Sequence, residues 1–163
     1  MQALLSELKK ILNQEYAVYE ELLKLTENKT QVIIEGKIKE LDEITKLEEN
    51  QILKIANLEQ IREDIAMKLR NSLGLSIDSN ITNIIDKLSK QDKEDLEVIK
   101  RKIVSVLDKI KEKNDLNNTL IGDALEYINL NINLLTNTKQ GNVYNKKDNN
   151  FVQQNKSLFD VKA

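Results

Sequence analysis

The feature that most constrains this chain is a stretch of about 36 residues, from Ile38 to Leu73, that contains neither glycine nor proline. Its apolar residues recur at a spacing of eleven, or about 3.67 per turn, which keeps them on one side of a nearly straight α-helix. The rows are Ile33, Ile44, Ile55 and Ala66; Leu47, Leu58 and Leu69; and Leu41 with Ile52. At about 1.5 Å per residue this helix is roughly 54 Å long, so we expect its partners to lie along it.

Composition favours helical partners over sheets. Charged residues make up 32% of the 163 residues and aromatic residues only 4%, so the core must consist of leucine, isoleucine and valine. Such a composition suits long helices and not a β-sandwich. We therefore predict an all-α fold: an elongated antiparallel helical bundle or coiled coil of three long helices plus one short helix, with a flexible C-terminal tail.

The first long helix is predicted from about Gln2 to Ile34, where apolar residues follow a heptad. Its main row is Leu4, Ile11, Val18, Leu25 and Val32, with Leu8 and Leu22 on the alternate seam and Leu5, Leu12 and Tyr19 widening the stripe. Glu15 and Lys29 fall on the Leu8 row. The simpler interpretation is that both side chains snorkel at the edge of the stripe. The alternative is that they are buried charged side chains that fix the register of the packed helices.

Glycines mark the expected breaks. Gly36 predicts either a reversal into an antiparallel hairpin or a bend in one continuous helix, and the sequence leaves both open. Gly74 stands where a glycine is expected just past a helix C-terminus. Ser79 or Asn80 is then placed to cap a short helix that runs to about Leu88 and closes the end of the bundle. The charged residues from Glu40 to Glu49 are interpreted as a solvated face.

The third long helix is predicted to begin at Gln91 or Asp92 and to carry an interrupted apolar seam. The seam runs through Leu96, Ile99, Ile103, Val106 and Ile110, and resumes at Ile121, Ala124 or Leu125, Ile128, Ile132 and Leu135. Between these parts, from Asn114 to Asn118, seam positions become asparagine. We interpret them as a polar layer that fixes register or leaves the helix pair; the alternative is a ligand site. Gly122 is either a close-packing point or a kink.

A change of composition divides the chain into a helical bundle, residues 1–137, and a polar tail, residues 138–163. The bundle carries 20 basic and 25 acidic side chains, and the tail carries 5 basic and 2 acidic ones. The tail nevertheless ends in a short apolar motif that contains Phe151, Val152, Leu158, Phe159 and Val161. Such a segment either folds on binding a partner or stays a mobile tail.

The residue types exclude several functions. Histidine and cysteine are absent, and so is a glycine-rich phosphate loop, so we expect no enzyme, no catalytic residue, no metal site and no cofactor. A net charge of −2 argues against a nucleic-acid binder. The N-terminus does not resemble a signal peptide, and the apolar runs are too short to span a membrane, so we expect a cytoplasmic protein without membrane insertion.

A glycine turn, Glu35-Gly36-Lys37-Ile38, leads into the pattern Leu-x-x-Ile-Thr-x-x-Glu at the start of the second helix. With the three long helices, this motif resembles the FlgN family of flagellar type III export chaperones, and the likeness covers roughly Leu4 to Tyr144. Further matching residues are Glu15, Tyr19, Leu22, Leu23 and Leu25 in the first helix, Leu41 to Arg62 in the second, and Asn114, Asn117 and Leu120 in the third, followed by an Asn/Lys tail.

This resemblance implies a cytosolic chaperone that binds C-terminal helical segments of hook-filament junction proteins and brings them to the export gate. It places client binding in the later part of the chain, where the resumed seam supplies the candidate residues Ile121, Leu125, Ile128, Ile132 and Leu135. Tyr144 is the best match for a tyrosine that docks the export gate, although Asn145 follows it where the family has glycine.

The rival hypothesis is a structural homo-oligomeric coiled-coil protein with no client. A homodimer is expected if three helices leave apolar stripes uncovered. A chaperone should expose an apolar groove, whereas a structural coiled coil should have every stripe occupied in the homo-oligomer.

We predict that the purified protein is strongly helical and elongated, because three long amphipathic segments account for most of the chain and no strand pattern competes with them. Circular dichroism should show a predominantly helical spectrum, and small-angle X-ray scattering should give a pair-distance distribution with a long tail. A symmetrical distribution typical of a compact sphere would contradict this prediction.

Overall fold

A computed structural model of the chain describes residues 1–136, and this part is all-α. Four helices are present in it: α1 (Gln2–Glu35), α2 (Ile38–Ser72), α3 (Ile81–Asp86) and α4 (Lys90–Thr136). The predicted set of three long helices and one short helix is therefore confirmed. Tyr144 and the tail motif lie outside the described residues, and the boundary between bundle and tail stays a prediction.

Gly36 ends α1 in a backbone conformation that glycine adopts without strain. Its φ is +68°, and the amide of Lys37 donates to the carbonyl of Val32 while the amide of Gly36 donates to that of Ile33. These two hydrogen bonds form a Schellman motif. Because the start of α1 packs against the end of α2 in one core cluster, the chain reverses here. The hairpin is confirmed, and the continuous bent helix is excluded.

Short-range caps define the connection between α2 and α4. Gly74, with φ +67°, closes α2 with a second Schellman motif. Asn80 caps α3 by accepting from the amide of Asn83 at 3.0 Å. Ser89 caps α4, because its Oγ accepts from Asp92 N–H and donates to the Asp92 carboxylate. With Ser89 as its cap, α4 begins at Lys90, slightly before the predicted start at Gln91 or Asp92.

The described chain forms two compact units. The first unit consists of Met1–Lys24 and Lys46–Asp108. Its core joins the start of α1, the end of α2, the buried residues of α3 and the start of α4. The members are Leu5, Leu8, Ile65, Ala66, Leu69, Ile84, Ile85 and Leu96. In this cluster α3 covers the end of the hairpin, as the pattern of apolar residues predicted.

The buried stripe of α2 contains the predicted eleven-residue row of Ile44, Ile55 and Ala66, but one residue of the second row departs from the prediction. Leu47 is 48% exposed, whereas the next residue, Glu48, is 4% exposed. Glu48 lies four residues after Ile44 and seven residues before Ile55, so it shares their side of the helix. The assignment of Leu47 to the stripe and of Glu48 to a solvated face was therefore wrong. A search for apolar residues alone could not identify a charged residue as part of the buried stripe.

A buried ion pair joins α1 to α2 in the first unit. The Glu15 side chain has no exposed surface, and its Oε2 accepts from Arg62 Nη1 at 2.8 Å. Burial raises the pKa of Glu15, and the neighbouring Arg62 charge offsets part of that shift. The interpretation that Glu15 snorkels at the edge was wrong, because its carboxylate lies inside. Lys29, on the same row, is half-buried.

A second ion pair joins α1 to α4 in this unit. Lys9 Nζ lies 2.9 Å from Asp92 Oδ1 and 2.8 Å from Asp95 Oδ2. The hydrogen bond from Lys9 is the main reason that the pKa of Asp92 falls below its usual value. Asp92 therefore serves both the cap of α4 and the contact with α1.

We predict opposite effects for alanine at two glycines. A Cβ at Gly74 meets nothing within 4 Å, so Gly74→Ala costs only the strain of a left-handed backbone, about 1 kcal/mol. Gly122 lies inside α4, and a Cβ there also meets nothing within 4 Å. Close packing therefore does not explain this glycine, and Gly122→Ala should stabilise the protein by up to about 1 kcal/mol.

Urea unfolding followed by circular dichroism measures both effects as shifts of the midpoint. Gly122→Ala is the matched control, since it adds the same methyl group to a helical backbone. A Gly74→Ala variant as stable as the parent would show that the left-handed turn carries no such cost.

Candidate protein-binding surface

The second unit differs from the first in what α4 buries. Within the described residues, this unit consists of Leu25–Thr45 and residues 109–136. In the first unit α4 buries mainly aliphatic side chains, including Leu96 and Val106. Beyond Ile110, the buried α4 residues of the described chain are all asparagines: Asn114, Asn117, Asn118 and Asn129. This part of α4 therefore buries amide groups where the first part buries apolar side chains.

Asn117 is the centre of this polar layer. Its side chain is almost fully buried, its Nδ2 donates to the carbonyl of Thr26 at 3.0 Å, and its Oδ1 accepts from the Thr30 hydroxyl. Both ends of the amide are thus satisfied by α1. This geometry supports the interpretation as a register-fixing layer. The alternative, that this polar segment leaves the helix pair, does not hold for Asn117.

The contacts of Asn117 also show where α4 continues beyond α1. Thr30 and Asn117 are separated by 87 residues in sequence, so at this offset the last residue of α1, Glu35, aligns with Gly122. The residues of α4 that follow Gly122 have no counterpart in α1. Apolar side chains in this last part of the helix therefore lack an α1 neighbour to cover them.

Five large apolar side chains there are exposed, and we name them the α4 apolar face. They are Tyr127, Ile128, Leu130, Leu134 and Leu135, with exposed fractions of 67%, 50%, 55%, 73% and 86%. At about 3.6 residues per turn they cover an arc of about 160° on one side of the helix. The buried Asn129 falls on the opposite side. Exposed apolar residues grouped in this way are typical of an interaction site.

The structure places the predicted client-binding residues in two groups. Ile128 and Leu135 lie on the α4 apolar face, whereas Ile121, Leu125 and Ile132 are half-buried. The other three members of the face were missed, because the prediction continued the apolar seam of the earlier part of α4; they are Tyr127, Leu130 and Leu134. In the sequence, each of these three residues could have been recognised as an apolar residue that does not fall on the predicted seam.

The charged residues near this face are acidic. Between Asn114 and Thr136 the only charged residues are Asp115, Asp123 and Glu126. A partner with basic side chains beside its apolar residues would therefore be electrostatically favoured.

Metal binding and membrane insertion have no candidate among the described residues. Within 1–136, no group of three or more histidine, cysteine, aspartate or glutamate side chains could hold a metal ion. No helix in this range combines the length and the apolar composition that a membrane span requires.

Comparison with known proteins identifies relatives over nearly the whole chain. The sequence model of a family described as FlgN protein matches residues 1–150. The chain is also 32% identical over 148 residues to the uncharacterized protein YvyG of Bacillus subtilis (strain 168), in an alignment that covers 90% of this chain and 91% of the relative. No solved structure matches the chain.

We predict that two neighbouring asparagines respond oppositely to leucine. Asn118 Nδ2 is buried and finds no hydrogen-bond partner among the described residues, so Asn118→Leu should stabilise the protein by about 1 kcal/mol. Asn117→Leu leaves the Thr30 hydroxyl without its amide partner and should destabilise the protein by about 1 kcal/mol.

Urea midpoints and hydrogen exchange of the α4 amides after Lys109 report both changes. The two substitutions are identical in chemistry and adjacent in sequence, so a general preference of α4 for leucine would shift both midpoints upward. That outcome would contradict a specific role for the Asn117 hydrogen bonds.

Proposed function

Because the chain belongs to the FlgN family of flagellar export chaperones, we propose that it is a cytosolic type III secretion chaperone for hook-filament junction proteins. It binds a C-terminal helical segment of such a protein and delivers it to the flagellar export apparatus. Family membership supports an export chaperone in general, whereas the client and the delivery step belong to the proposal.

The observation that carries this proposal is the α4 apolar face. Five large apolar side chains stand exposed on one side of a helix whose earlier part is built into a core. An amphipathic client helix recognises such a strip by its own apolar residues at positions i, i+3, i+4 and i+7. In this proposal the half-buried residues Ile121, Leu125 and Ile132 form the inner edge of the same surface.

Delivery requires a second contact that leaves the client in place. Tyr144 is proposed to dock the export gate, by resemblance to the family and from its place in the sequence, eight residues after Thr136. A tyrosine suits this role because its ring buries apolar area while its hydroxyl stays available for a hydrogen bond.

A structural homo-oligomer is the second candidate function, and the same face favours it. A second copy of the chain would also bury Leu134 and Leu135, which are 73% and 86% exposed in the single chain. The two functions differ in what happens when a junction protein is added. A chaperone forms a mixed complex, whereas a structural coiled coil keeps its mass.

We predict that a charge on the α4 apolar face prevents client binding. Leu134→Asp and Ile128→Asp each place a carboxylate in the proposed interface, where it would be buried without a partner. Each should weaken binding of a purified hook-filament junction protein at least about tenfold, which corresponds to about 1.4 kcal/mol. Isothermal titration calorimetry measures the affinity, and circular dichroism checks that the helices remain folded.

Asn133→Asp is the matched control, because Asn133 is exposed on the same turn and is not part of the apolar face. It adds the same negative charge and should leave the affinity within about twofold of the parent. If both aspartates on the face bind the junction protein as tightly as the control does, this face is not the client site.

A further inference from the structure

We propose that the apolar motif of the chain's own tail, Phe151–Val161, covers the α4 apolar face when no client is bound. The tail would then act as a built-in occupant that a client helix displaces. The competition with a client rests on the proposed function, but the contact between the tail and α4 does not.

The apolar spacing of the tail matches that of the face. On α4 the pairs Tyr127–Ile128 and Leu134–Leu135 are seven residues apart, and in the tail the pairs Phe151–Val152 and Leu158–Phe159 are also seven residues apart. Seven residues are about two helical turns, so each set forms one apolar strip if its segment is helical. The tail strip holds both phenylalanines of the chain.

An antiparallel pairing aligns the two strips in a single register. Phe151 then lies opposite Leu135, and Phe159 lies opposite Tyr127. The inner members, Val152 and Leu158, fall opposite Leu134 and Ile128 in the same register. A slip of one residue in either direction keeps only two of these four apolar pairs, so this is the best-matched of the antiparallel registers.

The length of the connection allows this fold-back. Fourteen residues, 137–150, separate the end of α4 from Phe151. Packed helices lie about 8–10 Å apart, and a flexible linker of this length spans roughly 20 Å on average. In the antiparallel arrangement the linker only has to cross from the end of α4 to the adjacent start of the tail motif.

Charge favours the same occupant. The segment from Asn114 to Thr136 carries three acidic residues and no basic one, and residues 138–163 carry 5 basic and 2 acidic side chains. The motif itself carries Lys156 and Asp160, so the excess of positive charge lies in the connection before it and at Lys162 after it. In the antiparallel register Lys162 falls opposite Ala124, one residue from Asp123. Asp160 falls opposite Glu126, and the repulsion between the two carboxylates weakens the contact. A weaker contact is easier for a client to displace.

The test uses the full chain and exploits its lack of native cysteine. Ser157→Cys places a single thiol in the tail motif, and a nitroxide label on that thiol broadens the amide signals of residues close to it. In a nitrogen-15-labelled sample we expect strong broadening of the signals from residues 124–136. The signals of α3 (Ile81–Asp86) should stay sharp.

The matched control adds Leu158→Ser and Phe159→Ser to the labelled chain. The label and the linker are unchanged, but two of the four paired apolar residues are gone, so the broadening on α4 should be lost. Broadening that persists in this control would overturn the proposal, and so would its absence in the parent. A mixture of nitroxide-labelled and nitrogen-15-labelled chains distinguishes a second copy: broadening there would show an intermolecular occupant and contradict the fold-back.

The consequence for clients is measured on the same full-length variant. If the tail occupies the face about nine-tenths of the time, Leu158→Ser/Phe159→Ser should bind a hook-filament junction protein about tenfold more tightly than the parent. A loss of binding in this variant would show that the tail grips the client, and the proposal would be wrong. If neither protein binds the junction protein while the nitroxide effect is present, the proposed function fails and the tail contact stands.

Discussion

The reversal at Gly36 is the constraint on which the rest of the structure depends. A left-handed residue there stops α1 and sends α2 back alongside it, and the two helices have nearly equal lengths of 34 and 35 residues. Their matched lengths bring the start of α1 to the end of α2, where α3 and the start of α4 complete an apolar cluster. Without the reversal, none of these segments would meet in the first unit.

α4 runs without interruption through two different kinds of packing. Its early part contributes aliphatic side chains to the first unit, and its later part contributes buried asparagines to the second. Burial of apolar side chains stabilises a helix pair strongly but permits several registers. Hydrogen-bonded amides stabilise it less but specify one register. An all-apolar helix would be more stable but less selective about its neighbours. The surface exposed at the end of α4 thus lies on the part of the helix that depends least on apolar packing.

Local signals in the sequence predicted the four helices well. Which residues of those helices are buried depends on long-range packing, which these signals do not report. The break at Gly74 was predictable because a glycine just past a periodic run commonly ends a helix, whereas at Gly36 the sequence left both a reversal and a bend open. The burial of Glu48 in place of Leu47 was not predictable, since it depends on which side of α2 the neighbouring helices cover. For the same reason three members of the α4 apolar face, among them Leu134, were overlooked in favour of residues on the predicted seam.

The Glu15–Arg62 pair has a consequence for how this sequence can change over generations. Loss of the arginine alone would leave a carboxylate buried without its partner, and such a loss is strongly destabilising. Replacement of both residues by apolar ones of similar volume is often neutral. The direct route between these two states passes through a less fit intermediate, so selection should couple the two sites. Among homologues, positions 15 and 62 are therefore expected to covary, which would make an α1–α2 contact readable from an alignment.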